Sequence, residues 1–137
     1  MTKRMVSVWV ALLVSLAVAG CTTQPLVNVS ETPIVWTDAA PSIDKAEVAI
    51  KRALIVRGWT GEAVGPGLIR GQINVRGKHK ATVDSAFSDR EYTITYVDSA
   101  GLDYYPSTGT IHRNYNRWVL ALSQEINKEL SLAASPN

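Results

Sequence analysis

Six groups of residues carry side chains able to do chemistry. Cys21 is the only cysteine of the chain. Its thiolate is a nucleophile that can be alkylated or acylated. The small residues Val18-Ala19-Gly20 before it suit a peptidase seat, which places a predicted cut between Gly20 and Cys21. His79 and His112 are the only histidines. Beside a carboxylate either could serve as a hydrolytic base, but they stand in different segments with no carboxylate or second histidine at ligand spacing, so both read as structural. A metal site needs three or four clustered ligands, and neither a metal nor another cofactor is expected. Asp84, Asp89, Glu91, Asp98 and Asp103 could pair as acid and base, yet alternating solvated strand positions already explain them. Gly65-Pro66-Gly67 with Gly71 has the composition of a phosphate cradle, but it leads into a strand and not a helix, so it reads as a turn. No serine stands in a Gly-x-Ser-x-Gly elbow. The densest cluster is Ile111-His112-Arg113-Asn114-Tyr115-Asn116-Arg117-Trp118. On a helix Tyr115 and Trp118 share the inner stripe, while Arg113, Asn114 and Arg117 project from the other side. Arg113, Asn116 and Arg117 form the candidate interaction face, because arginine and aromatic anchors are favoured at protein interfaces.

The positioning of Cys21 is the sharpest of these signals. Lys3 and Arg4 open the chain, and an apolar run from Met5 to Ala19 follows, too short and too near the terminus to span a bilayer comfortably. Leader, small residues and cysteine together resemble the lipobox signal peptide of bacterial lipoproteins. That resemblance implies removal of residues 1–20, a diacylglyceryl thioether on Cys21 and, usually, an acyl group such as palmitate on its amine. Each buried methylene contributes about 0.8 kcal/mol, so two or three chains hold a protein at a membrane that it does not cross. In enteric-type bacteria a residue other than aspartate after the cysteine, here Thr22, is similar to the sorting signal for the outer membrane. The expected place is therefore the cell envelope, lipid-anchored and periplasm-facing, with the outer membrane favoured over the inner.

Removing the leader also changes the charge. Lys3 and Arg4 are two of the 14 basic residues and the leader holds none of the 12 acidic ones, so the mature chain is near neutral. The formal charge of +2 is thus no nucleic-acid signal, and a periplasmic address argues against nucleic acid as well. With Cys21 lipidated no disulfide is available, so one modest domain must rest on its hydrophobic core.

Residues 21–41 read as the lipidated cysteine and a tether punctuated by Pro25, Pro33 and Pro41. Random-coil scaling gives such a tether a span of roughly 25 Å. Within it Ile34-Val35-Trp36 is β-prone and either docks on the domain or stays loose. The domain, residues 42–131, opens with a helix after Pro41-Ser42, with Ile43, Ala46, Ile50, Ala53 and Leu54 on one face and a stop at Gly58. Period-two alternation then predicts three strands: one through Ile69 to Val75, one through His79 to Phe87 and one over Glu91 to Val97. Short turns at residues 76–78 and 88–90 favour antiparallel neighbours. A connector over 99–109 precedes a second helix, about Thr110 to Leu130, with the stripe Ile111, Tyr115, Trp118, Leu122, Ile126 and Leu130. Residues 132–137 should fray.

The element order predicts an α+β two-layer sandwich of helix, three-stranded antiparallel meander and helix, both helices on one face. A fourth strand, from the tether or near Trp59, stays open. Arg57-Gly58-Trp59, Tyr92-Thr93-Ile94-Thr95-Tyr96 with Asp98-Ser99, and the 111–118 cluster together resemble a family of small uncharacterised bacterial envelope lipoproteins over about residues 43–130. That likeness implies an anchored, folded domain and no activity. The function expected is a non-enzymatic accessory or binding module, held at a membrane through its N-terminal lipid, whose partner is an envelope protein, peptidoglycan or a lipid ligand. The alternative is a small periplasmic hydrolase or ligand-processing enzyme using a histidine and a carboxylate.

Overall fold

Ser42 starts the first helix as expected. Its backbone is extended and its Oγ accepts a hydrogen bond from the Lys45 amide at 3.2 Å, satisfying one of the orphan donors of a helix N-terminus. The helix, α1, spans Ile43–Val56. It ends in a Schellman motif, with Gly58 at φ +80° donating to the Ile55 carbonyl and Trp59 donating to that of Leu54. Ala46, Ala49, Ile50, Ala53 and Leu54 form its buried face. Ile43, counted on that face from its spacing, is instead exposed in the first turn. The computed structural model describes residues 22–37 and 39–135.

Among the described residues, seven strands accompany α1 and the second helix. In chain order they are β1 (Thr23–Pro25), β2 (Val29–Pro33), β3 (Thr60–Gly65), β4 (Leu68–Val75), β5 (His79–Ala86), β6 (Glu91–Ala100) and β7 (Thr110–His112). Strands β2-β6-β5-β4-β3 form one antiparallel sheet, and β1 pairs with β7 in a second, two-stranded one. The α+β class stands, but the three-stranded meander is only β4-β5-β6, the middle of a five-stranded sheet. Both candidates for an extra strand form: β3 follows Trp59 and β2 comes from the supposed tether. Their sequences hide them for a physical reason. Strand β3, Thr-Gly-Glu-Ala-Val-Gly, is exposed at every position, so it lacks an alternating apolar face. Strand β2 ends in Pro33, which only an edge strand accommodates.

The tether reading of residues 21–41 is therefore corrected over its described part. Leu26 donates to the Gly109 carbonyl at 2.9 Å, and Ile34, buried, donates to that of Arg90 at 2.7 Å. Asn28 Oδ1 accepts from the Tyr96 amide, and the Trp36 indole donates to the Asp89 carbonyl at 2.6 Å. Backbone pairing that links residues more than fifty apart leaves no local signature, and prolines read as linker punctuation whether or not a partner strand exists.

Helix α2 spans Arg113–Ala134. It starts three residues later than the apolar stripe implied, because residues 110–112 are extended against β1. It also continues into the expected frayed tail as far as Ala134, which is buried. Val119 and Asn116 join Tyr115, Leu122, Ile126 and Leu130 on the inner face, while Trp118 is half-buried. Leu54 of α1 sits directly over Gly61 and Gly71 of β3 and β4, and Tyr92 of β6 bonds through its hydroxyl to Ser123 and Asn127 of α2. Both helices thus cover one face of the large sheet. Ile69, Val83, Tyr92 and Ile94, all fully buried, project from that face.

Tyr115 packs edge-on to Tyr96, ring centroids 5.5 Å apart, and its buried hydroxyl has no hydrogen-bond partner. Burial pushes its ionisation well above the ordinary tyrosine range. Removing an unpaired buried hydroxyl recovers its desolvation cost, so Tyr115→Phe is expected to raise the unfolding free energy by about 1 kcal/mol in denaturant titration. The folded state favours the neutral phenol, so this ionisation leaves wild-type stability unchanged below about pH 10 and lowers it as the pH climbs past that value. The variant should lose less over that interval; an identical alkaline profile would contradict the assignment.

Candidate functional site

A cleft of about 680 Å³ opens where the C-terminus of α1, the β4-β5 turn and the first turns of α2 meet. Arg57, Arg76 and Arg117 line it together with His79, Asn114 and Trp118. Trp59 and Val75 add apolar wall, and among the described residues no carboxylate lines the cleft. The charge balance of the whole chain conceals this local excess.

Each cation is placed by a different element. Arg57 is the C-cap of α1, and its Nε donates to the Ala121 carbonyl of α2 at 3.2 Å, bridging the two helices across the cleft. Arg117 lies one turn into α2 and is exposed. Arg76 occupies the turn between β4 and β5 at φ +57°, followed by Gly77 at φ +67°, and the Lys78 amide closes the turn on the Val75 carbonyl at 3.2 Å. Two successive positive φ values belong to a type I′ turn, which favours Asn-Gly. An arginine in the left-handed region costs roughly 1 kcal/mol over that choice. Helix α2 bears a second local cost: Arg113 stands in a first turn without any acid, against the helix dipole, a penalty of about 0.3–1 kcal/mol.

His79 Nδ1 donates to the Gly101 carbonyl at 2.7 Å, which holds the imidazole against the cleft wall. His112 caps α2, its Nδ1 accepting from the Asn114 amide at 3.2 Å. Both bonds are to backbone. Among the described residues neither imidazole bonds to a carboxylate or a hydroxyl, the partner a hydrolytic dyad requires.

The candidate face Arg113, Asn116 and Arg117 is divided by the fold. Arg117 enters the cleft, while Arg113 is exposed outside its lining. Asn116 is buried, and this corrects its place on the face. Its Oδ1 accepts from the Val27 amide at 3.0 Å and its Nδ2 donates to the Pro25 carbonyl at 2.9 Å. It clamps the N-terminal arm instead of meeting a partner. Gly65-Pro66-Gly67 lies at the β3-β4 turn, as expected. The carboxylates also separate: Asp84 makes a two-pronged ion pair with Arg70, at 2.8 and 2.9 Å, on the sheet face away from the helices. Among the described residues no cluster of three or more His, Cys, Asp or Glu could hold a metal ion, and no helix is long and apolar enough to cross a membrane. Cys21 and the Gly20-Cys21 cut lie outside the described residues.

Arg57 and Arg76 escaped sequence reasoning because separate elements carry them, and His79, read as structural, joins them only in the fold. The usable signal was Arg76-Gly77 at a hairpin turn, where Asn-Gly is the economical choice. No protein-family model, curated protein or solved structure matches the chain.

Proposed function

We propose that this protein is a lipid-anchored, non-enzymatic binding module of the bacterial envelope, favouring the outer membrane, whose cleft takes an anionic ligand. The cleft carries the reading: three arginines and a histidine share one concavity, with no carboxylate among the described residues that line it. The β4-β5 turn accepts a local cost to place Arg76 there, a pattern that points to function when no structural gain offsets it. Guanidinium groups suit phosphate and carboxylate oxygens, which they bind with paired hydrogen bonds. The leader and Cys21 support the anchor.

The experiment has two arms. Labelled palmitate is expected to enter the wild-type chain and not Cys21→Ala, and equal labelling would remove the anchor from the reading. Inorganic polyphosphate should change the tryptophan emission of residues 22–137, since Trp59 and Trp118 line the cleft. Arg117→Gln should weaken that response roughly tenfold, the scale of one charge-assisted hydrogen bond. An unchanged titration would sink the anionic site.

A further inference from the structure

We infer that the cleft's ligand is the phosphate headgroup of an anionic lipid in the same leaflet that holds the anchor. This rests on the lipidation of Cys21 proposed above. The observation that carries it is how close residue 22 lies to the cleft. The Thr22 carbonyl accepts from the Arg113 amide at 2.8 Å, and Thr23 pairs with His112. Cys21 is bonded to Thr22, so the proposed anchor joins the described arm at a residue whose carbonyl is hydrogen-bonded to the first turn of α2. Arg117 is one helical turn, about 6 Å, farther along.

The opposite wall of the cleft reaches the same end of the molecule. Gly101 packs against the Lys78 carbonyl of the β4-β5 turn and accepts from His79. The next residue, Leu102, accepts from the His112 amide at 2.8 Å. A continuous set of backbone contacts therefore joins the Arg76 turn, the 101–102 connector, β7 and Thr22. With residues 22–27 docked, a lipidated Cys21 would keep the cleft within a headgroup's depth of the bilayer.

The surface at this end has the composition of a membrane-interface site. Ile55 and Val56 at the end of α1 are 72% and 58% exposed, Val56 lines the cleft, and Trp118 lies in its wall. Apolar and aromatic groups beside arginines suit the boundary between acyl chain and phosphate. A lipid phosphate presents its oxygens at that depth; a soluble anion would not need the anchor so near.

The test uses residues 22–137, which carry every described element of the fold, and vesicles of phosphatidylcholine with or without phosphatidylglycerol. The protein should co-sediment with the anionic vesicles and not with phosphatidylcholine alone. At about fivefold per basic charge near an anionic surface, Arg117→Glu should lower the partition roughly thirtyfold and Arg76→Asn about fivefold. Arg76→Asn should leave the melting temperature unchanged or higher, because asparagine tolerates the positive φ, which separates lost binding from lost folding. Arg113→Glu, exposed outside the cleft lining, should have a smaller effect than Arg117→Glu. Equal losses from those two variants would indicate diffuse attraction and overturn the cleft as the site. Equal partition onto both vesicle types would overturn the lipid. Displacement by inorganic phosphate at matched phosphate concentration would also overturn it, identifying a free-anion site. Absence of palmitate labelling with vesicle selectivity intact would overturn only the same-leaflet placement, whereas labelling without selectivity would overturn the headgroup and spare the anchor.

Discussion

Gly101→Ala is expected to lower the unfolding free energy by about 3 kcal/mol, a drop in melting temperature on the order of 10 °C for a domain of this size. Two costs combine. Gly101 has φ +70°, where a side chain is strained, and a Cβ built there would lie 2.1 Å from the Lys78 carbonyl oxygen. That oxygen belongs to the backbone of the β4-β5 turn, so it cannot rotate away like a side-chain end. The turn must shift, carrying Arg76 with it and breaking the 2.7 Å bond between His79 and the Gly101 carbonyl. Vesicle binding should therefore fall along with stability. Gly58→Ala is the matched control: its φ is +80°, but a Cβ there meets nothing within 4 Å. Only the conformational cost of about 1 kcal/mol applies to it. Equal destabilisation by the two substitutions in thermal melts would show that the contact with Lys78 contributes nothing.

Asn116→Ala should release the N-terminal arm. The side chain is 5% exposed and satisfies both the Val27 amide and the Pro25 carbonyl. Leaving two such groups without partners costs about 1–3 kcal/mol each. Residues 22–27 can escape that cost by detaching, so the loss is expected to level off near 3 kcal/mol while α1, α2 and the five-stranded sheet remain folded. Native-state hydrogen exchange reads this directly: protection should collapse at Leu26 and Val27 and persist at Ile94 and Val83. Unchanged protection at Val27 would refute the clamp. The arm also links the proposed anchor to the cleft, so the same variant, lipidated and reconstituted, should lose the proximity of Trp118 to the bilayer that the proposal requires.

Both effects lie on residues whose importance was concealed in the chain. Gly101 fell within the connector over 99–109, and Asn116 read as a member of an arginine-rich face. What decides them is a neighbour in space: the Lys78 carbonyl for one, the backbone of residues 25–27 for the other. The same holds for β2. Its pairing with β6 joins Val29 to Ile94 and Thr32 to Tyr92, residues far apart in the chain, and gives Val-Ser-Glu-Thr-Pro no local reason to look extended.

By contrast, features governed by local physics were legible. The Ser42 cap and the Gly58 stop follow from satisfying helix-end groups. The inward rows of β4, β5 and β6 follow from the two-residue period of a strand with one buried face. The α+β class and the expectation of both helices on one face rest on nothing longer in range. The leader and Cys21 lie outside the described residues, and the anchor read from them stands as a proposal.

The sequence by itself thus determined the two helices, the three central strands and most of the faces they bury, because each depends on contacts within a turn, a cap or a single period. Only the tertiary structure decided that the arm docks, that the sheet has five strands and that Arg57, Arg76 and Arg117 share one cleft. Those outcomes depend on which distant segments meet, and a near-neutral chain bears no trace of where its charges will gather.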